Sequence, residues 1–180
     1  MLCDQIIDIL LSGRSIPDQL KAPSSGGVYA FFLVSTNVLA PFEVPTNGLI
    51  YVGMSSNLAQ REFDAHLSSG NTGRSTVRRS IGAILKRQLK LTARPRGRGS
   101  SATDFTNYRF DPQGEARLSD WMRTSLMISV HPDVNYAALE RDLILCMKPI
   151  LNLTGWSNPN SMEIAALRKA CADEARQQRE

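Results

Sequence analysis

Two short apolar segments, GVYAFFLV at 27–34 and GLIYVG at 48–53, limit what this chain can build. Each is too short for a typical helix, carries aromatic and β-branched residues, and reads as a buried strand. The stretch between them, 35–47, holds two prolines and two asparagines, and a connection of that length suits an antiparallel hairpin. Helical patterns surround the pair at 4–12, 57–68, 75–89, 117–124, 135–147 and 161–178. Further strands are expected at 104–110 and 126–130, and Pro149 ends the helix at 135–147. The expected fold class is α/β (α+β): a small, mainly antiparallel central sheet of about three strands flanked by helices. The expected plan is an N-terminal helical extension at 1–25, a central domain at 26–155 with a basic insertion around 86–103, and a C-terminal helix at 156–180. That last helix caps the core or dimerises, giving a monomer or a homodimer. The 180-residue length and the 42% hydrophobic and 21% charged composition are those of a globular protein. They exclude a disordered tail, a collagen-like rod and a disulfide scaffold.

Charge is unevenly spread. No Asp or Glu occurs from Ala65 to Thr103, yet that window holds Arg74, Arg78, Arg79, Lys86, Arg87, Lys90, Arg94, Arg96 and Arg98, nine of the 21 basic residues. Elsewhere acidic residues outnumber basic ones, so the net charge of +4 conceals a mildly acidic body with one strongly basic segment. Such a segment suits a polyanion, because each neutralised phosphate releases counterions. The nine residues are therefore candidate nucleic-acid contacts; the alternative is a solvated helix face and a loop. The three cysteines, Cys3, Cys146 and Cys171, have no metal-finger spacing, and Cys146 among apolar neighbours reads as a small core filler. With only His66 and His131 as histidines, no zinc site is expected. The apolar run near the N-terminus is broken by Asp8 and falls short of a membrane span or a signal peptide. The expected location is the cytoplasm, without a membrane partner.

Several residues stand out against this background. Tyr136, Glu140, Leu143 and Met147 share one helix face by their spacing. A glutamate in such a stripe needs a partner, a metal or a route to water. It is either a metal ligand or general base, or a stripe edge paired with arginine. Each of the first two strands carries a tyrosine, Tyr29 and Tyr51, whose hydroxyls need partners. Gly53 ends the second strand or lets something approach the backbone. Arg61 borders the apolar stripe of the helix that follows, where a partly buried guanidinium seeks a carboxylate or a phosphate.

Together these residues resemble the GIY-YIG nuclease domain. Gly27-Val28-Tyr29 stands where that family has Gly-Ile-Tyr, and Tyr51-Val52-Gly53 where it has Tyr-Ile-Gly. IYVGMSSNLAQR at 50–61 is similar to the family's second strand, turn and helix up to its arginine. Glu140, followed by Pro149 and Asn152, resembles its metal-binding glutamate and later asparagine. The resemblance covers roughly residues 26–155. The interval between Arg61 and Glu140 is long for the minimal domain, as an insertion would make it. Many members carry His or Tyr four residues after the arginine, whereas His66 comes five after Arg61. On an ideal helix that is a rotation of about 140°, so His66 either reaches the site from an irregular turn or pairs with Glu62.

The resemblance implies a single-metal endonuclease with Tyr29, Tyr51, Arg61, His66, Glu140 and Asn152 as site residues. Glu140 would hold magnesium, or manganese, through oxygen. Arg61 would clamp a phosphate oxygen, and a tyrosine or His66 would take the proton of the attacking water. Asn152 would position a water or a phosphate, or else is a turn-former. The substrate would be a nucleic acid, with DNA favoured. The alternatives are an inactive binding module of the same fold and an RNA-cleaving, toxin-like nuclease.

Overall fold

The computed structural model describes residues 2–61 and 67–178. In chain order the elements are α1 (Leu2–Ser12), β1 (Gly27–Leu33), β2 (Leu49–Ser55), α2 (Leu58–Arg61), α3 (Thr76–Ile84), β3 (Ala93–Arg94), α4 (Ala102–Thr106), β4 (Arg109–Phe110), α5 (Pro112–Ser125), β5 (Leu126–Pro132), α6 (Tyr136–Met147) and α7 (Ser161–Gln177). Contacts divide the chain into two compact units, Met1–Phe63 with Arg123–Ser161, and Asp64–Met122 with Met162–Glu180.

The first unit is organised by an antiparallel sheet in the order β2-β1-β5. The alternation of β1 decides its two faces. Val28, Ala30 and Phe32 join Leu49 and Val52 of β2, Ile6 and Leu10 of α1, and Leu139, Leu143 and Ile144 of α6 in one core. Tyr29 and Phe31 take the other face. Neither sheet edge is bare. Ser15 exchanges two 2.8 Å backbone hydrogen bonds with Ile128 on β5, and the Leu151 N–H donates to the Ile50 carbonyl of β2 at 2.9 Å. Covering an edge strand this way satisfies its groups and blocks pairing with another chain. Cys146 does not fill the core as its neighbours suggested. The buried side of α6 runs through Leu139, Leu143 and Ile144, and Cys146 is exposed. Its Sγ lies 3.1 Å from that of Cys3 on α1, and burial, followed by the Cys146 contact, pushes the Cys3 thiol up to about 11.

The second unit holds the basic segment. Ser75 caps α3, its Oγ accepting the Arg78 N–H at 3.1 Å. β3 and β4 pair antiparallel, Ala93 with Phe110 and Arg94 with Arg109. The strand expected at 104–110 is mostly absent. Residues 102–106 form α4 instead, started by a capping box in which Ser101 and Asp104 bond each other's backbone N–H. That reciprocal cap starts a helix where a strand was expected. The helix expected at 117–124 begins earlier, at Pro112, because proline is well suited to a first helical turn. α7 buries Ile164, Cys171, Ala172 and Ala175.

Candidate active site

Strand register brings the two tyrosines together on the sheet face opposite the first unit's core. Tyr29 pairs with Gly53, and Phe31 with Tyr51. Ring centroids are 6.2 Å apart for Tyr29–Tyr51, and 5.8 Å for the edge-on pair Tyr29–Phe31. Gly53 makes this cluster possible. A Cβ there would lie 2.6 Å from both Cζ and the hydroxyl oxygen of Tyr29, and 2.8 Å from Cε1 of Tyr51. No side chain fits, so the glycine serves close approach of the two rings. Tyr51 also depends on an irregularity in β2. Phe32 pairs with Leu49, which leaves Ile50 over in the ladder. In a regular strand Leu49 and Tyr51 would share a face. The extra residue lets Leu49 enter the core while Tyr51 stays beside Phe31, a common use of such bulges near functional sites. Tyr29 is 1% exposed and Tyr51 is half-buried.

Asn152 is buried, and its amide is spent on the backbone of β2. Its Oδ1 accepts the Val52 N–H at 2.9 Å, and its Nδ2 donates to the Val52 carbonyl at 2.8 Å. The side chain thus replaces a neighbouring strand at the residue between Tyr51 and Gly53. Asn152→Ala is expected to cost about 1–3 kcal/mol, because it orphans both Val52 groups. Asn152→Asp, which keeps an acceptor and loses the donor, should also destabilise, as measured by the shift in urea midpoint at constant m-value.

Glu140 lies one helical turn after Tyr136, at the border of the buried side of α6. It is half-buried and makes no hydrogen bond or ion pair among the described residues. Burial pushes its carboxyl up, opposed by the charge of Arg141. A partly dry carboxylate suits a hard cation as an anchor. Among the described residues no three His, Cys, Asp or Glu side chains gather, so a cation held here would take its other ligands from water or substrate. Of Arg61 only the backbone is described, at the end of α2 beside β1 and β2, and His66 lies outside the described residues.

The family model for the GIY-YIG catalytic domain matches residues 33–177. The chain belongs to the GIY-YIG family. No curated protein and no solved structure matched it. The match contains Tyr51, Arg61, Glu140 and Asn152, begins just after the Tyr29 tripeptide, and runs through α7. GIY-YIG proteins form a nuclease family that generally uses divalent metals, with nucleic acid as substrate. No helix among the described residues is long and apolar enough to cross a membrane.

In this GIY-YIG chain the nine basic candidates divide into two sets. Arg78 and Arg79 are buried, which corrects their reading as nucleic-acid contacts. Arg78 sits on the packed face of α3, fully buried, with Nη2 2.7 Å from Glu115 Oε2. Arg79 donates through Nη1 to the Gly73 carbonyl at 3.0 Å. Lys86 is half-buried and bound to the Leu91 carbonyl and to Glu174, 3.0 Å from its Oε2. Arg74, Arg87, Lys90, Arg96 and Arg98 are exposed, and Arg94 is half-buried. Sequence reasoning missed Glu115, Asp104 and Arg109. The spacing of Asp104 from Ser101 was a readable cap signal. Nothing local marked Glu115 as the partner of Arg78.

Proposed function

We propose that this GIY-YIG protein is an endonuclease that hydrolyses phosphodiester bonds with one divalent cation, magnesium or manganese, and that DNA is its favoured substrate. The observation that carries the reading is Glu140, a half-buried carboxylate without a hydrogen-bond or ion-pair partner among the described residues, in a chain that also has the tyrosine pair shaped by Gly53. Glu140 would be the protein's ligand to the cation. When bound, that cation supplies positive charge to offset charge developing on the phosphate and the leaving oxygen. A single carboxylate at the site among the described residues favours one metal over a pair. Arg61 would hold a nonbridging phosphate oxygen through charge-assisted hydrogen bonds. The tyrosine pair would accept the proton of the attacking water, with His66 the other candidate. A tyrosine ionises near pH 10 when free, so this role needs the neighbouring positive charge of Arg61 and the cation. An open groove of about 580 Å³, between Gly26, Ser56, Asp133 and Tyr136, gives a strand room at the start of α6.

Supercoiled plasmid incubated with the purified chain tests the reading. Relaxed or linear product should form with magnesium or manganese and vanish with chelator. Cleavage that persists in chelator would remove the metal from the mechanism. No cleavage of plasmid, with cutting of an RNA duplex under the same conditions, would move the substrate to RNA.

A further inference from the structure

Three exposed arginines of the second unit, Arg74, Arg96 and Arg109, line one open cleft of about 540 Å³ with Gly70, Gly73 and Gly97. Its walls are fixed from behind. Glu115 accepts from the Gly70 N–H at 3.2 Å and the Thr72 hydroxyl at 2.9 Å, and Arg79 holds the Gly73 carbonyl. These bonds set the turn that carries Arg74. Asp104 accepts from the N–H groups of Ser100 and Ser101 at 3.0 and 3.2 Å, and its carbonyl accepts the Arg96 N–H at 2.8 Å. They set the Gly- and Arg-rich loop that carries Arg96. Arg109 projects from β4, with Nε donating to the Pro95 carbonyl at 3.2 Å. Gly73 keeps the cleft open. A Cβ there would lie 2.5 Å from Cδ of Arg96 and 2.6 Å from the Asn107 carbonyl oxygen.

Positive charge prevails in the cleft. Arg74, Arg96 and Arg109 form no ion pair with any described residue, and Asp104 is the one acidic side chain in the lining. Desolvation raises the Asp104 carboxyl, but the N–H groups of Ser101 and Ser100, the Ser101 hydroxyl and the charge of Arg96 hold it below its usual range. Its Oδ2 is already engaged by the loop.

We infer that this cleft seats the phosphodiester backbone of a nucleic acid, gripping successive phosphates through Arg74, Arg96 and Arg109. The inference rests on the proposed nuclease reading and adds a second, non-catalytic seat built wholly within residues 70–109. Guanidinium forks match phosphate oxygens, and the exposed backbone of Gly70 and Gly97 lets a strand come close. Arg78 and Arg79, the most conspicuous basic pair in the sequence, serve as scaffold for this seat and make no contact in it.

Fluorescence anisotropy in chelator, with the full chain, separates binding from cleavage. The probes are a labelled DNA duplex, an RNA duplex and a DNA single strand, each across a potassium chloride series. Arg74→Gln/Arg109→Gln should weaken binding by about tenfold or more and flatten the log–log salt slope by about two, since each phosphate contact contributes about 0.9. The charge-matched Lys148→Gln/Lys169→Gln, at exposed lysines outside both the cleft and the basic segment, should lose less than about threefold. Arg74→Glu alone, whose wild-type side chain makes no hydrogen bond or ion pair with any described residue, keeps the test alive if the double variant folds poorly. Equal losses on DNA and RNA duplexes identify the shared backbone as the ligand, and a loss on one probe identifies that source. Equal losses for the two double variants on every probe, or no binding of any probe by the wild type, overturn the cleft. Failure of metal-dependent cleavage with these binding differences intact would instead strike the catalytic reading alone.

Discussion

Glu140→Gln is expected to lower plasmid cleavage by about 10²–10³-fold while leaving the chain at least as stable at neutral pH. The loss is that typical of removing a single group that stabilises transition-state charge. The stability half follows from the carboxyl's surroundings. Burial raises its pKa, opposed by Arg141, and it has no hydrogen-bond partner among the described residues. A carboxyl whose folded pKa exceeds its unfolded value costs stability above the folded pKa. The cost fades as pH falls and is gone below the unfolded value, about 4.3 for a free glutamate. The neutral glutamine removes that cost, so the variant's advantage should be seen at pH 7 and lost near pH 3 in urea melts. A structural role predicts the opposite, a destabilised variant whose activity falls with its folded fraction. Protons and the metal also compete for the same oxygens, so wild-type cleavage should decline on the acid side and recover with added metal. Cleavage within about threefold of wild type would remove Glu140 from the site.

Much of the first unit was legible because its signals are local. Strand length, glycine boundaries and composition placed β1 and β2, and helical spacing placed α1 and α6. What escaped was long-range. The bulge at Ile50, which separates Leu49 from Tyr51, leaves no mark in a six-residue apolar segment. Asn152 follows a proline and reads as a turn-former, yet its amide binds Val52, 100 residues away. Cys146 failed as a core residue because neighbouring apolar residues do not establish which side of a helix is covered. In the second unit the acid-free window suggested a basic surface for a nucleic acid. Its strongest ion pair reaches outside the window to Glu115, 37 residues from Arg78. A clue lay in the spacing of α3, since Arg78 falls three and seven residues before the buried Ile81 and Leu85, on the packed face.

That ion pair carries the largest stability effect expected in the molecule. Glu115 Oε2 meets Arg78 Nη2 at 2.7 Å and accepts from Thr72 and Gly70, while its Oε1 accepts the Phe110 N–H at 3.0 Å. The side chains of Arg78 and Glu115 are 0% and 3% exposed. Glu115→Ala strands a guanidinium in the interior and orphans the Phe110 N–H, and should destabilise by about 3–5 kcal/mol. Set against a typical folding free energy of about 5–15 kcal/mol, that loss removes at least about a fifth of the stability. The cost lies in the unpaired charge more than in the attraction lost, so removing both charges should be milder. Arg78→Met/Glu115→Gln discards the ion pair but keeps an acceptor for the backbone and for Thr72, and should recover more than half of the loss. Urea melts followed by far-UV circular dichroism and by tryptophan fluorescence would read both variants, and two probes would reveal separate transitions for the two units. A loss under about 1 kcal/mol for Glu115→Ala would mean that water reaches Arg78. A double variant no better than the single would mean that the unpaired charge of Arg78 is not the main cost of losing Glu115.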